Sequence, residues 1–104
     1  MDEVILMNII SHSGSARSLC HEALSFFQEE QFEKGQNKLN EAKEELVSAK
    51  KSHSELLQQF AAAEKVETNL LLVHAEDHLS STGVIFELVD YFKSLYIKME
   101  ELKK

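Results

Sequence analysis

The sequence contains no proline and only three glycines, at positions 14, 35 and 83. Proline and glycine are the residues that most often end helices and form turns, so their scarcity favours long helices over a fold with many turns. There is a single cysteine, Cys20, which excludes an internal disulfide framework and is typical of proteins from a reducing compartment. We therefore expect an all-helical protein that works in the cytoplasm.

Long apolar runs are also missing. The longest have four residues, far fewer than the roughly 20 that span a bilayer. The N-terminal stretch MDEVILMNII has neither a basic leader nor an A-x-A cleavage site, so no signal peptide is expected. The net charge of -7 disfavours nonspecific binding to nucleic acids and anionic lipids, which are polyanions. Together with the length, these features predict one soluble domain, residues 1–104, that neither inserts into a membrane nor binds nucleic acid.

Three segments repeat apolar residues at steps of three and four, which predicts three helices. The first runs from about Glu3 to Gln28, and the third begins at an N-cap, Thr68 or Asn69, and continues nearly to the C-terminus. The second has a heptad-like seam of Leu39, Leu46, His53 and Phe60. Short turns near Glu29–Phe32 and Lys65–Thr68 would make neighbouring helices antiparallel. The prediction is an up-down-up three-helix bundle.

The third predicted helix is apolar on more than one side. A single core-facing stripe covers about 100° or somewhat more. The apolar residues between positions 84 and 99 exceed that width: Val84, Ile85, Phe86, Leu88, Val89, Tyr91, Phe92, Leu95, Tyr96, Ile97 and Met99. We expect part of this surface to face another subunit. The alternative is a surface that carries ordinary single exposed apolar residues.

A polar stripe interrupts the apolar pattern in the segment LLLVHAEDHL. His74, Asp77, His78 and Ser81 are spaced so that they share one face of a helix. Three interpretations remain open from these residues alone. The histidines could be hydrogen-bonded core or interface residues. H-x-x-D-H could bind zinc, although no histidine or cysteine follows as a third ligand. One imidazole could instead be a nucleophile near neutral pH.

The segment LLVHAEDHL at positions 71–79 resembles the active-site pattern V-H-[AG]-Q-D-H-L-M of a bacterial family. This family comprises the lactose/cellobiose/chitobiose-class enzyme IIA components of the sugar phosphotransferase system. A second match is SGSARS at positions 13–18, where the family has A-G-x-A-R-S, and a weaker one is Phe32 in the family's G-D-F turn. The resemblance covers nearly the whole chain. One departure is Glu76, where the family usually has Gln.

The resemblance implies a homotrimer of three-helix subunits that relays phosphoryl groups for disaccharide uptake. His74 would accept the phosphoryl group from phospho-HPr and pass it to a cysteine of the cognate IIB component, beside a membrane sugar permease. Asp77 would meet its symmetry copies at the trimer axis, where three carboxylates would share a divalent cation, with Mg²⁺ expected. His78 would support one of these two residues. The alternative is a helical regulatory or interaction module that kept the fold without the relay.

Three other residues receive structural interpretations. Counting from the predicted turns puts His53 level with about Ser81, two turns from His74, as an interior or interface histidine. The same counting puts Arg17 on the order of 25 Å from His74, so we assign it to packing or an ion pair. Cys20 is expected to be a buried, inert small hydrophobe.

Overall fold

The computed structural model describes residues 3–63 and 68–104, and three α-helices occupy almost all of them. Helix α1 spans Glu3–Gln28, α2 spans Phe32–Ala62 and α3 spans Leu70–Leu102. Neither described range contains a strand. The prediction of an all-α chain with three helices is therefore confirmed.

The first turn falls where the sequence predicts it. The Gln31 N–H donates to the Phe26 carbonyl at 2.9 Å, and the Glu30 N–H donates to the Phe27 carbonyl at 3.1 Å. Glu30 has a φ of 63°, in the left-handed region. This combination is a common way to end a helix, because it satisfies carbonyls that lack a partner within the helix. It reverses the chain within a few residues.

The start of α3 also follows the sequence prediction. Asn69 is the N-cap, and its side-chain oxygen accepts a hydrogen bond from the Leu72 N–H at 2.8 Å. Such a cap satisfies one of the amides that the first helical turn leaves without a partner. Of the second predicted turn, Lys65–Thr68, only Thr68 lies inside the described residues. The other three positions lie outside them.

Interhelical polar pairs show that α2 runs antiparallel to both neighbours. In an antiparallel pair, residue numbers rise along one helix as they fall along the other. Two pairs show this order between α1 and α2, namely His12–Glu45 and Glu22–Lys38. Two more show it between α2 and α3, namely Gln36–Lys93 and His53–Glu76. The Thr82 hydroxyl donates to the Ser13 carbonyl at 3.3 Å, which sets the register between α1 and α3. The up-down-up topology is confirmed.

Most of the buried apolar residues form two clusters, one near each end of the bundle. The cluster that supports the polar stripe contains Ile5, Leu6, Ile9, Leu56, Leu72 and Ala75. The other contains Cys20, Ala23, Phe27, Leu39, Ala42 and Val89. In the second cluster Gly35 lies directly against the Phe27 ring, where a Cβ atom would overlap it. Cys20 is fully buried, as the sequence predicts.

Helix α3 has an apolar stripe that no part of the described chain covers. Its exposed members are Leu70, Val73, Val84, Leu88, Tyr91, Phe92, Leu95, Met99 and Leu102. The core contacts of α3 lie on a different face, through Leu72, Ala75, Thr82 and Val89. The prediction that α3 is apolar on more than one face is correct. Among the described residues, no helix is long and apolar enough to cross a membrane.

The predicted level of His53 is wrong. Its imidazole lies 2.7 Å from the Glu76 carboxylate, five residues nearer the start of α3 than Ser81. The sequence predicts that the turn after α2 begins at Lys65, whereas α2 ends at Ala62. His53 is therefore closer to the end of α2 than predicted, and it lies nearer the level of His74 on α3.

Candidate functional site

His74 and His78 form a pair of imidazoles on the first turns of α3. Their ring centroids are 4.5 Å apart and the rings meet edge to face, with an interplanar angle of 78°. Residues four apart on a helix lie one above the other, so helix geometry alone brings these two together. The structure thus joins the two histidines that the sequence pattern selects.

The two rings differ in their exposure to solvent. His74 is exposed, whereas His78 is half-buried. The helix is fixed in this orientation because Leu72 and Ala75, on either side of His74, point into the core. A nucleophile that must meet another protein has to be accessible to it and held on a rigid element. The His74 imidazole meets both conditions.

His78 has an unsatisfied nitrogen. Its Nδ1 atom is enclosed, and within residues 3–63 and 68–104 it has no hydrogen-bond partner. Enclosed polar atoms nearly always have a partner in folded proteins, so an exception needs a structural or chemical reason. Sequence periodicity could not have revealed this atom, because the enclosure of a single side-chain atom is decided by the folded structure.

Asp77 lies three residues after His74, where the polar stripe meets the exposed apolar stripe of α3. It is four residues after Val73 and seven before Val84, so it shares their helix face. The Asp77 side chain is exposed, and within the part of the chain that the structure describes it makes no ion pair or hydrogen bond. The carboxylate therefore stands at the polar end of a face that becomes apolar from Val84 onward.

Glu76 contacts α2. Oε1 of Glu76 lies 2.7 Å from Nε2 of His53, with the His53 side chain 24% exposed and the Glu76 side chain 46% exposed. A carboxylate can only accept hydrogen bonds, so the imidazole nitrogen is the donor. Both residues are conspicuous in the sequence, but their spacing does not connect them. The sequence does indicate that His53 faces inward, because it lies on the heptad-like seam of α2. It does not identify Glu76 as the partner, because that depends on the register between α2 and α3.

No metal centre forms within one chain. Among the described residues, no group of three His, Cys, Asp or Glu side chains is arranged to hold a metal ion. His74 and His78 pack ring against ring, and within the described residues they do not join Asp77 in a metal-binding group. The zinc interpretation of H-x-x-D-H therefore gains no support from this fold. A cation could be held by Asp77 only if other copies of the chain supplied further oxygens.

Arg17 lies outside the site. The contact between Thr82 and Ser13 puts Arg17 one turn beyond that level, about 18 Å along the bundle from His74. This distance is shorter than the predicted one, but it is still too long for a direct contact with a group on His74. The prediction that Arg17 has no direct role agrees with this position.

Comparison with known proteins gives a consistent result. The family model described as "PTS system, Lactose/Cellobiose specific IIA subunit" matches residues 4–97. The lichenan-specific phosphotransferase enzyme IIA component of Bacillus subtilis (strain 168) is 37% identical over 99 residues, which cover 95% of this chain and 90% of that protein. The lactose-specific EIIA component of Staphylococcus epidermidis is 33% identical over 99 residues, covering 93% and 95%.

Solved structures show the same similarity. The crystal structure of the PTS cellobiose-specific enzyme IIA from Bacillus anthracis superposes with a TM-score of 0.90 and 37% identity, covering 97% of this chain and 94% of that one. The IIA subunit in a solution structure of the IIA(chitobiose)–HPr complex superposes with a TM-score of 0.83 and 28% identity, covering 94% and 95%. The three-helix fold and the sequence pattern thus agree.

Proposed function

Because the chain belongs to the family of lactose/cellobiose-specific IIA subunits of the phosphotransferase system, we propose that it relays phosphoryl groups through His74. The observation that carries the choice of residue is the exposure of the His74 imidazole on a helix anchored by Leu72 and Ala75. The chain is thus a phosphotransferase component, and its product is a phosphohistidine that exists only between two transfers.

Phosphoryl transfer requires a nucleophile that is aligned with the phosphorus atom of the donor. A neutral His74 nitrogen donates its lone pair to the phosphorus of the donor, the bond from phosphorus to the donor breaks, and a P–N bond forms on His74. In the second step a cysteine thiolate of the acceptor attacks phosphorus and the His74 nitrogen leaves with its electron pair. Phosphoryl transfer of this kind depends mainly on positioning and charge stabilisation. His78, whose ring packs against His74, supports it by limiting the ring's orientation.

The partners follow from the family. HPr is the phosphoryl donor, in keeping with the similarity to a IIA subunit that has been solved in complex with HPr. The acceptor is the cognate IIB component, and the transported sugar is of the lactose, cellobiose or chitobiose type. The protein works in the cytoplasm, beside a membrane sugar permease. The alternative of a module without the relay rested on Glu76, and the His53–Glu76 contact gives that residue another explanation.

We further propose that three copies assemble through the exposed stripe of α3. A trimer would cover Leu88, Leu95 and their apolar neighbours, and it would bring three Asp77 carboxylates together on the axis. Three carboxylates brought together on an axis repel one another unless a cation neutralises them. Carboxylate oxygens favour a hard ion such as Mg²⁺. The exposed, unpaired carboxylate of Asp77 fits this role, with each subunit supplying one ligand.

The relay is tested by incubating the protein with phosphoenolpyruvate, enzyme I and HPr and following its mass. We expect one phosphate per chain that is labile in acid and stable in base, as a phosphohistidine is. His74→Gln should take up none. The matched control is His21→Gln, which removes an exposed histidine on α1 and should leave uptake unchanged. Absence of phosphate from the wild type, with a relay that phosphorylates another IIA, would reject the function.

A further inference from the structure

The His53–Glu76 pair is the polar contact between α2 and α3 nearest to His74. The second one among the described residues, between Gln36 and Lys93, lies near the other end of the bundle. Nineteen residues separate Lys93 from His74 on α3, which is about 28 Å along the helix. The His53–Glu76 pair is therefore the polar link between α2 and α3 at the level of the phosphoryl-accepting residue, beside the apolar contacts of Leu56.

Glu76 is also the carboxylate closest in sequence to His74, two residues away. Each residue advances about 100° around a helix, so Glu76 projects about 200° from His74, on the opposite flank of α3. The carboxylate is thus held on the side that faces α2, away from the imidazole that must receive an anion. A hydrogen bond of 2.7 Å from the half-buried His53 ring keeps it there.

We propose that His53 is a positioning residue for phosphoryl transfer: by holding the Glu76 carboxylate against α2, it keeps that negative charge away from the phosphoryl group arriving at His74. This role rests on the relay function proposed for His74. Without the imidazole, the Glu76 side chain has three free torsions and an exposed carboxylate that can swing along the surface of α3. Its repulsion of the incoming phosphoryl group then raises the barrier to transfer.

The test measures kcat/KM for phosphoryl transfer from phospho-HPr in three variants. His53→Leu removes the donor and keeps an apolar residue on the seam of α2, and transfer should slow by about three- to tenfold. The upper end of that range is the full effect of one unit charge at about 10 Å from a group of one or two charges, at an effective dielectric constant of about 50, and moving an existing charge gives less. Glu76→Gln should transfer at least as fast as wild type. The double variant His53→Leu/Glu76→Gln should regain the wild-type rate.

Rescue in the double variant separates positioning from a structural role. If the pair served only to hold the helices together, the double variant would be as slow as His53→Leu. Added salt gives a second readout, because screening should narrow the gap between His53→Leu and wild type. The control is His12→Leu, which breaks the similar His12–Glu45 pair between α1 and α2 and should leave the rate unchanged.

The outcomes distinguish this proposal from the relay itself. If the wild type takes up no phosphate, the relay function is wrong and the positioning role falls with it. If the wild type is phosphorylated and His53→Leu matches its rate, the positioning role alone is overturned. The same conclusion follows if His53→Leu is slow and the double variant is not rescued. Rescue together with a salt-dependent gap supports the proposal.

Discussion

The rings of His74 and His78 meet edge to face, with 4.5 Å between their centroids, and Nδ1 of His78 has no hydrogen-bond partner among the described residues. The contact restricts how the His74 ring can turn. It also places an imidazole with spare hydrogen-bonding capacity beside the proposed phosphorylation site. Both properties bear on the rate of transfer, and they can be separated by substitution.

His78→Phe keeps an aromatic ring against His74 and removes both nitrogens. We expect transfer from phospho-HPr to slow by about tenfold, because a hydrogen-bonding group beside the reacting imidazole is lost. Thermal unfolding should stay close to wild type, since the ring is similar in size. Rapid-quench measurement of the phosphoprotein checks the rate. A wild-type rate in His78→Phe would show that His78 contributes packing only.

The proposed trimer should depend on the apolar stripe of α3. Leu88→Glu should convert the trimer to monomers, because a carboxylate cannot be buried in an apolar interface without a partner. Val47→Glu is the matched control, since Val47 is 59% exposed on α2 and Leu88 is 48% exposed on α3. Sedimentation equilibrium should show a trimer for Val47→Glu. A trimeric Leu88→Glu protein would place the interface elsewhere.

The Asp77 carboxylates should make the proposed trimer sensitive to chelators. Removing divalent ions with EDTA should weaken the wild-type trimer, because three converging carboxylates would repel one another. Asp77→Ala should associate more weakly than wild type in the presence of Mg²⁺, and EDTA should have no further effect on it. Sedimentation of both proteins over a range of concentrations measures this. An Asp77→Ala trimer that matches wild type with and without EDTA would contradict the axial cation.

Gly35 should tolerate no side chain. A Cβ atom there would lie 2.5 Å from Cδ1 of the buried Phe27 ring and closer still to Cε1. Gly35→Ala should therefore lower the free energy of unfolding by about 1–3 kcal/mol, the usual cost of overpacking a core. Gly14→Ala is the control, because nothing lies within 4 Å of its Cβ position. It should raise stability by about 0.5–1 kcal/mol through better helix propensity. Urea unfolding distinguishes the two variants, and equal effects would contradict this packing.

The Cys20 thiol should be unreactive in the folded protein. Burial raises the pKa of Cys20 from its ordinary 9.0 to about 11, because the apolar core disfavours the thiolate. Alkylation by iodoacetamide at about pH 8 should be slow and should become fast in urea. Since the folded pKa is the higher one, the stability contributed by this group is complete below pH 9.0 and is lost as the pH rises through about 11. Rapid alkylation under the same conditions without denaturant would contradict the burial.

Much of the fold and part of the site follow from the sequence. Apolar spacing located the three helices and the first turn, and residue type limited the N-cap of α3 to Thr68 or Asn69, because these features depend on residues within a few positions of one another. The spacing of four residues likewise predicts the contact between His74 and His78, since it needs only the geometry of one helix. The prediction of their chemical role came from the resemblance of the segment to a family. The proposed role of His74 is tested by the phosphorylation experiment.

Contacts between helices were decided only by the tertiary structure. His53 lies against Glu76 because α2 ends at Ala62, and the register of two helices depends on where each one ends and how their side chains pack. Sequence also could not tell which face of α3 would be left uncovered, because both of its apolar faces have helical spacing. Periodicity is a property of one helix, whereas register and burial are set jointly by all three. The sequence alone therefore determined which residues share a face, and only the packed bundle determined what each face meets.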